Sequence, residues 1–113
     1  ESLGRSEDGK VAYAKTMDGE LVAMSTEGNS YKLLWKTDLG LGYEHAPCIV
    51  IEHDGFVYAG SRHGQLSIVD VATHQLVVSY PMGTSEVNGF EVDANGDVYC
   101  SLIEGTIFKI TRK

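Results

Sequence analysis

Tyr13-Ala14-Lys15-Thr16-Met17-Asp18-Gly19-Glu20-Leu21, Tyr58-Ala59-Gly60-Ser61-Arg62-His63-Gly64-Gln65-Leu66 and Tyr99-Cys100-Ser101-Leu102-Ile103-Glu104-Gly105-Thr106-Ile107 are one phrase written three times. In each copy a Tyr stands six residues before a Gly, and a Leu or Ile follows that Gly by two. The glycines are 45 and then 41 residues apart, a period that marks repeat architecture. Each Gly lies between two runs rich in Val, Tyr, Leu, Ile or small residues. Each phrase therefore reads as a β-hairpin whose Gly supplies the positive φ of the turn. Asp8-Gly9, Asp54-Gly55 and Asn95-Gly96 stand upstream of the three phrases and predict a further strand before each. Another apolar run follows at 31–36 and again at 75–80. The unit is then a four-stranded antiparallel meander, one blade of a propeller.

Strands are expected at 2–6, 10–16, 20–25 and 31–36 in blade one (1–41). In blade two (42–83) they are expected at 48–52, 55–61, 65–70 and 75–80, and in blade three (84–113) at 88–92, 97–102 and 106–111. The fold class is all-β: a partial β-propeller of about three four-stranded antiparallel blades, the last lacking its outer strand. Cys48-Ile49-Val50-Ile51 and Leu76-Val77-Val78 are continuously apolar. That pattern suits strands covered on both faces by stacked blades, whereas a two-layer sandwich would alternate throughout.

Composition bounds the function classes. A hydrophobic content of 42% with 13 glycines in 113 residues suits one turn-rich all-β domain. No apolar run approaches the ~18 residues of a membrane helix. A net charge of −7 without a Lys/Arg cluster would repel a phosphate backbone, so nucleic acid is excluded as a partner. Glu1 is no initiator Met and no signal peptide is visible, so the chain is read as a processed piece. Cys48 and Cys100 lie in apolar strand contexts of different repeats and read as two buried thiols.

Few residues point to chemistry. Asp93-x-Asn95-x-Asp97 has the opening spacing of a calcium loop but lacks its Gly, Glu104 falls at the twelfth place only by count, inside the next turn, and a hairpin turn explains the same residues. His45, His53, His63 and His74 have no paired ligand spacing, so no metal is assigned. Ser61, Ser85 and Ser101 lack a nucleophile elbow, and no helix follows Gly40-Leu41-Gly42 to make it a dinucleotide fingerprint. Tyr13, Tyr58 and Tyr99 are read as packing residues between blades. The candidate binding positions are on the loops that cross into each new blade, which rim the central channel of a propeller. They are Glu44 and His45 before blade two, and Ser85, Glu86 and Asn88 before blade three.

Gly64-Gln65-Leu66-Ser67-Ile68-Val69-Asp70-Val71-Ala72-Thr73, and Gly19-Glu20-Leu21-Val22-Ala23-Met24 with Leu33-Leu34-Trp35-Lys36, resemble the blade repeat of quinoprotein-like (PQQ-type) propellers. His74 stands where that repeat has Gly. Two ways of counting offer Tyr80 or Val78 as the partner of the docking Trp35. Val92-Asp93-Ala94-Asn95-Gly96-Asp97-Val98-Tyr99 resembles NHL or gluconolactonase-type propellers equally well. The resemblance implies a non-catalytic binding or scaffold module without a cofactor. Such a module is either an envelope-assembly propeller of bacteria, periplasmic or secreted, or a repeat domain appended to an enzyme such as a metallophosphoesterase. The alternative it implies is a fragment of a quinoprotein dehydrogenase using PQQ and calcium.

Closed propellers have ~4–8 blades, so two and three-quarter blades leave an apolar face and unpaired strand edges at both ends. Such a chain is expected either to belong with remaining blades of its own propeller or to meet protein partners, its own copies included. The isolated chain should therefore self-associate: light scattering at micromolar concentration should return a mass above 12.3 kDa. A sharp monomer peak would contradict the unfinished ring.

Overall fold

The structure, a computed structural model, describes residues 2–27, 32–40, 50–61, 64–81 and 87–111. Eleven strands form three antiparallel sheets among them. The first has the order β1 (Ser2–Arg5), β2 (Val11–Lys15), β3 (Glu20–Ser25), β4 (Lys32–Asp38). The second runs β5 (Val50–His53), β6 (Phe56–Gly60), β7 (Gln65–Asp70), β8 (Gln75–Pro81). The third, three-stranded, is β9 (Val87–Val92), β10 (Val98–Leu102), β11 (Ile107–Ile110), with β10 in the middle. Each sheet is a meander, every strand pairing with the next in sequence. The arrangement is the partial propeller that the repeat predicts.

Local chemistry explains the turns. Gly19 has φ +80°, its N–H donates to the Thr16 carbonyl (3.1 Å), and the Thr16 N–H donates to the Glu20 carbonyl (2.9 Å). The Leu102–Thr106 turn repeats this closure, and so does Asp93–Asp97. These are turns ending in a left-handed Gly that bulges into the next strand. Asp54-Gly55 differs: both residues have positive φ, 50° and 86°, the signature of a two-residue type I′ turn.

Register makes the repeat exact at the level of residues. Gly4 pairs with Tyr13, Ile51 with Tyr58 and Glu91 with Tyr99. Ala23 pairs with Trp35, and Ile68, at the same place in the second sheet, pairs with Val78. Val78 therefore holds the Trp35 position, and the count that selects Tyr80 is wrong. Both outer pairs also carry a register shift at the same point, which leaves Leu34 and Val77 as the extra residues. They are 47% and 50% exposed, so Leu76-Val77-Val78 is not covered on both faces as its apolarity predicts. The bulge turns its middle residue outward.

Two cores result, each between neighbouring sheets. Tyr13, Leu21 and Ala23 of the first sheet pack on Val50, Val57, Ala59 and Val69 of the second. Tyr58, Leu66 and Ile68, on the opposite face of the second sheet, pack on Val87, Phe90, Val98, Cys100 and Leu102 of the third. Backbones approach where the strands converge. A side-chain carbon at Gly4 would strike the Val50 backbone carbonyl, and one at Gly60 would come within 2.8 Å of the Val87 side chain. The Val87 N–H then donates to the Ser61 carbonyl (3.0 Å), tying the start of β9 to the end of β6.

A polar clamp crosses the first boundary. The Tyr13 hydroxyl donates to Glu52 Oε1 (2.5 Å), and the Glu7 N–H donates to Glu52 Oε2 (3.1 Å). In return the Asp54 N–H donates to Glu7 Oε1 (3.2 Å), and His53 Nδ1 lies 4.0 Å from Glu7 Oε2. At the periphery Trp35 tilts against Tyr13, with ring centroids 6.0 Å apart, and stacks on His74 of the second sheet at 4.6 Å and 6°. His74 has φ +63°, a left-handed conformation that favours Gly. Stacking between aromatic rings contributes ~0.5–1.5 kcal/mol, enough to offset the left-handed backbone.

Two outcomes follow from this boundary. His74→Gly should be more stable than His74→Ala by about 1 kcal/mol in urea unfolding, since both lose the stack and only Gly relieves the φ. Equal stabilities would mean that His74 is not held left-handed. The second concerns Tyr13, whose hydroxyl is held well above its ordinary pKa by burial and then by Glu52. A raised folded-state value means that its contribution is full below pH ~10 and is lost above, as the unfolded chain gives up the proton first. The melting temperature of wild type should thus fall more steeply above pH 10 than that of Tyr13→Phe; parallel profiles would remove the clamp.

Candidate functional site

Four of the five rim positions, Glu44, His45, Ser85 and Glu86, lie outside the described residues. Asn88 is a residue of β9, the strand that follows the second crossing loop. The site is therefore sought in what the described residues leave uncovered.

Each inner sheet face has a counterpart at the ends of the stack. Tyr13 and Tyr58 are each 1% exposed, but Tyr99, at the same place in β10, is 42% exposed. The expectation that all three tyrosines pack between blades holds for two of them, because no described sheet lies on the Tyr99 side of the third. Ile107 occupies the place of Leu66 and is 75% exposed against 0%. A shallow cavity of about 440 Å³ opens there, between Gly89, Glu91, Tyr99, Ser101 and Ile107. At the other end, Met24 and Leu33 of the first sheet hold the places of Val69 and Leu76, which are core residues of the first boundary. Leu33 is exposed.

The open face of the third sheet differs chemically from its buried equivalents. Tyr99 pairs with Glu91 on one side and Lys109 on the other, where Tyr58 has Ile51 and Ile68. The Lys109 ammonium lies 5.7 Å from the Tyr99 ring centroid and 3.8 Å from Asp97 Oδ2. A cation over an aromatic face and an exposed pair of this kind each contribute at most ~1 kcal/mol. Their consequence is that this face carries charges of both signs around a central ring. The open face of the first sheet carries Arg5 at its inner strand, in the register position of Glu52.

The calcium-like spacing resolves into a turn, while His45, His63 and Ser85 lie outside the described residues. Asp93 Oδ1 accepts from the Asn95 N–H (2.9 Å) and the Asp97 N–H (3.0 Å), so this carboxylate closes its own turn. Asp8 does the same with the Lys10 N–H (2.9 Å) and the Ser6 hydroxyl (2.7 Å), and these hydrogen bonds lower its pKa. Cys100 is buried, and burial pushes its thiol pKa up, the opposite of what a nucleophilic thiolate needs. Cys48 lies outside the described residues. The signals that sequence reading missed are Arg5, Glu52 and Glu91, three charges whose meaning depends on which residues they stand opposite.

Comparison with known proteins gives a likeness of fold. A scan against protein families found no match, and neither did a search of curated proteins. Among solved structures, a chain in the crystal structure of the mitotic checkpoint complex superposes with a TM-score of 0.79 at 15% identity, covering 96% of this chain and 32% of that one. BamB from Moraxella catarrhalis superposes at 0.73 and 16% identity, covering 98% of this chain and 32% of its own. The chain thus spans about a third of the length of each of these two structures. At these identities the likeness concerns architecture, and the architecture is that of β-propellers.

Proposed function

We propose that this chain is a non-catalytic binding or scaffold module, a section of β-propeller that acts through its open sheet faces. One observation carries the reading: the third sheet presents, uncovered, the face that is core in the two sheets before it. Tyr99 and Ile107 stand exposed where Tyr58 and Leu66 are sealed. Contiguous exposed apolar surface rimmed by charge is the mark of an interaction surface. Asp93, which opens the calcium-like spacing, closes its own turn, and Cys100 is buried. The propeller likeness to a chain of the mitotic checkpoint complex and to BamB is consistent with a module that meets other proteins. Attachment to an enzyme such as a metallophosphoesterase, or a place in a bacterial envelope assembly in the periplasm or outside the cell, are the settings that the repeat resemblance supports.

The quinoprotein reading fits less well. A quinone–calcium site needs acidic and amide ligands that converge, and among the described residues no three His, Cys, Asp or Glu side chains gather closely enough to hold an ion.

The test compares one register position in two sheets. At sub-micromolar concentration Leu66→Ala should cost 2–5 kcal/mol of unfolding free energy, and Ile107→Ala within about 0.5 kcal/mol. Equal costs would place Ile107 in a core and remove the open face. Titration with PQQ and calcium, followed by Trp35 emission, should give no saturable change; micromolar saturation would transfer the chain to the quinoproteins.

A further inference from the structure

We infer that the open face of the third sheet is the docking site for the open face of the first sheet of a second copy of this chain, head to tail, with Arg5 of one copy meeting Glu91 and Tyr99 of the other. The inference rests on the reading of the end faces as interaction surfaces and names their occupant.

The two open faces are the two halves of an interface that the chain already makes twice. At the first boundary the Tyr13, Leu21 and Ala23 face receives Val57, Ala59 and Val69. At the second, the Tyr58, Leu66 and Ile68 face receives Val98, Cys100 and Leu102. The receiving half recurs a third time as Tyr99 and Ile107 on the outer side of the third sheet. The inserting half recurs as Ala12, Ala14 and Met24 on the outer side of the first, at the places of Val57, Ala59 and Val69. Repetition of the register brings one half onto the other without any new geometry.

Charge then selects this pairing. In the first boundary the inserting sheet supplies Glu52, which pairs with Val57, to accept the Tyr13 hydroxyl. The same position on the first sheet, paired with Ala12, is Arg5. Docked on the third sheet, Arg5 would arrive at the Tyr99 hydroxyl, beside Glu91, the direct cross-strand neighbour of Tyr99. Glu91 replaces the Ile51 of the second sheet and the Gly4 of the first at that position, so an acid appears only where the arriving residue is Arg. A guanidinium is suited to such a site, since it pairs with a carboxylate through two parallel hydrogen bonds and lies flat on an aromatic ring. Both charges are exposed in one copy, and burial between copies would strengthen their attraction.

The contact joins unlike faces, so each copy offers one of each and the assembly either closes or runs on. Two copies bring six sheets, within the ~4–8 of closed propellers. Sedimentation of the full chain should show a closed dimer at micromolar concentration. Arg5→Glu and Glu91→Arg should each weaken association at least tenfold, and the chain carrying both should regain it, because the pair is restored with reversed sign. Far-UV circular dichroism and thermal midpoints check folding, and Arg5→Gln with Glu91→Gln replace any reversal that fails to fold. A monomer at 100-fold higher concentration, an oligomer indifferent to both reversals, or a double variant no better than the singles would each overturn the inference. A folded monomer would still leave the open-face reading standing, since that reading is decided by the Leu66 and Ile107 comparison.

Discussion

Everything in this molecule depends on one constraint: a β-sheet with apolar residues on both faces must be covered twice. The second sheet meets it within the chain, packed by the first on its Val57 and Val69 side and by the third on its Tyr58 and Ile68 side. Magnitudes show what holds the boundaries. Sealing a side chain the size of Leu21, Leu66 or Ile68 stabilises by ~1.5–3 kcal/mol, whereas a net hydrogen bond such as Tyr13 to Glu52 contributes about 1 kcal/mol. The apolar faces supply the adhesion. The clamp of Glu7, Glu52 and Asp54 fixes how far one sheet slides on the next, because its acceptors are used only at one register.

The same constraint explains why the architecture was legible. Turn chemistry is local, so Gly at a fixed distance from Tyr located the hairpin between the second and third strands of each sheet, Asp-Gly or Asn-Gly located the one before it, and the strands formed within a residue or two of their expected bounds at most ends. Legibility ended where neighbours decide. Val77, in an apolar run expected to be covered on both faces, is turned out by a bulge, as is Leu34 at the same place in the first sheet. His74 was visible only as a departure from the Gly of the repeat that the chain resembles. Its positive φ is sustained by a stacking partner, Trp35, almost forty residues away in sequence. Ser67 and Ser79 face each other across β7 and β8 with buried hydroxyls that have no partner in the structure, and no sequence pattern announces that.

The interaction residues were hidden for a more particular reason. The ruler that aligns the repeats is the Tyr-to-Gly phrase, and it holds across the second and third strands of each sheet. Upstream of it the turns differ: Asp54-Gly55 closes in two residues, whereas the Ser6–Val11 and Asp93–Asp97 turns are longer. Arg5, Glu52 and Val92 therefore stand eight, six and seven residues before their tyrosines. Counting cannot align them; only the pairings with Ala12, Val57 and Val98 do. Arg5 and Glu91 looked like ordinary surface charges because the repeat positions they occupy were out of phase in the sequence.

A stack of sheets that adheres by generic apolar faces has no intrinsic way to choose what it adheres to. Any similar face, in any register, would satisfy the same burial, and exposed strand edges add a second route to indiscriminate association. The charges on the end faces supply the missing choice. Placing Glu91 beside Tyr99, where the second sheet has Ile51, makes a neutral partner face bury a carboxylate without an opposite charge on docking. Such a penalty is larger than the few tenths of a kcal/mol that a correct surface pair contributes. Specificity at this face thus comes mainly from what it refuses. The net charge of −7 opposes association of copies in general, so a contact between them has to supply opposite charge locally, at the one position where the repeat brings it.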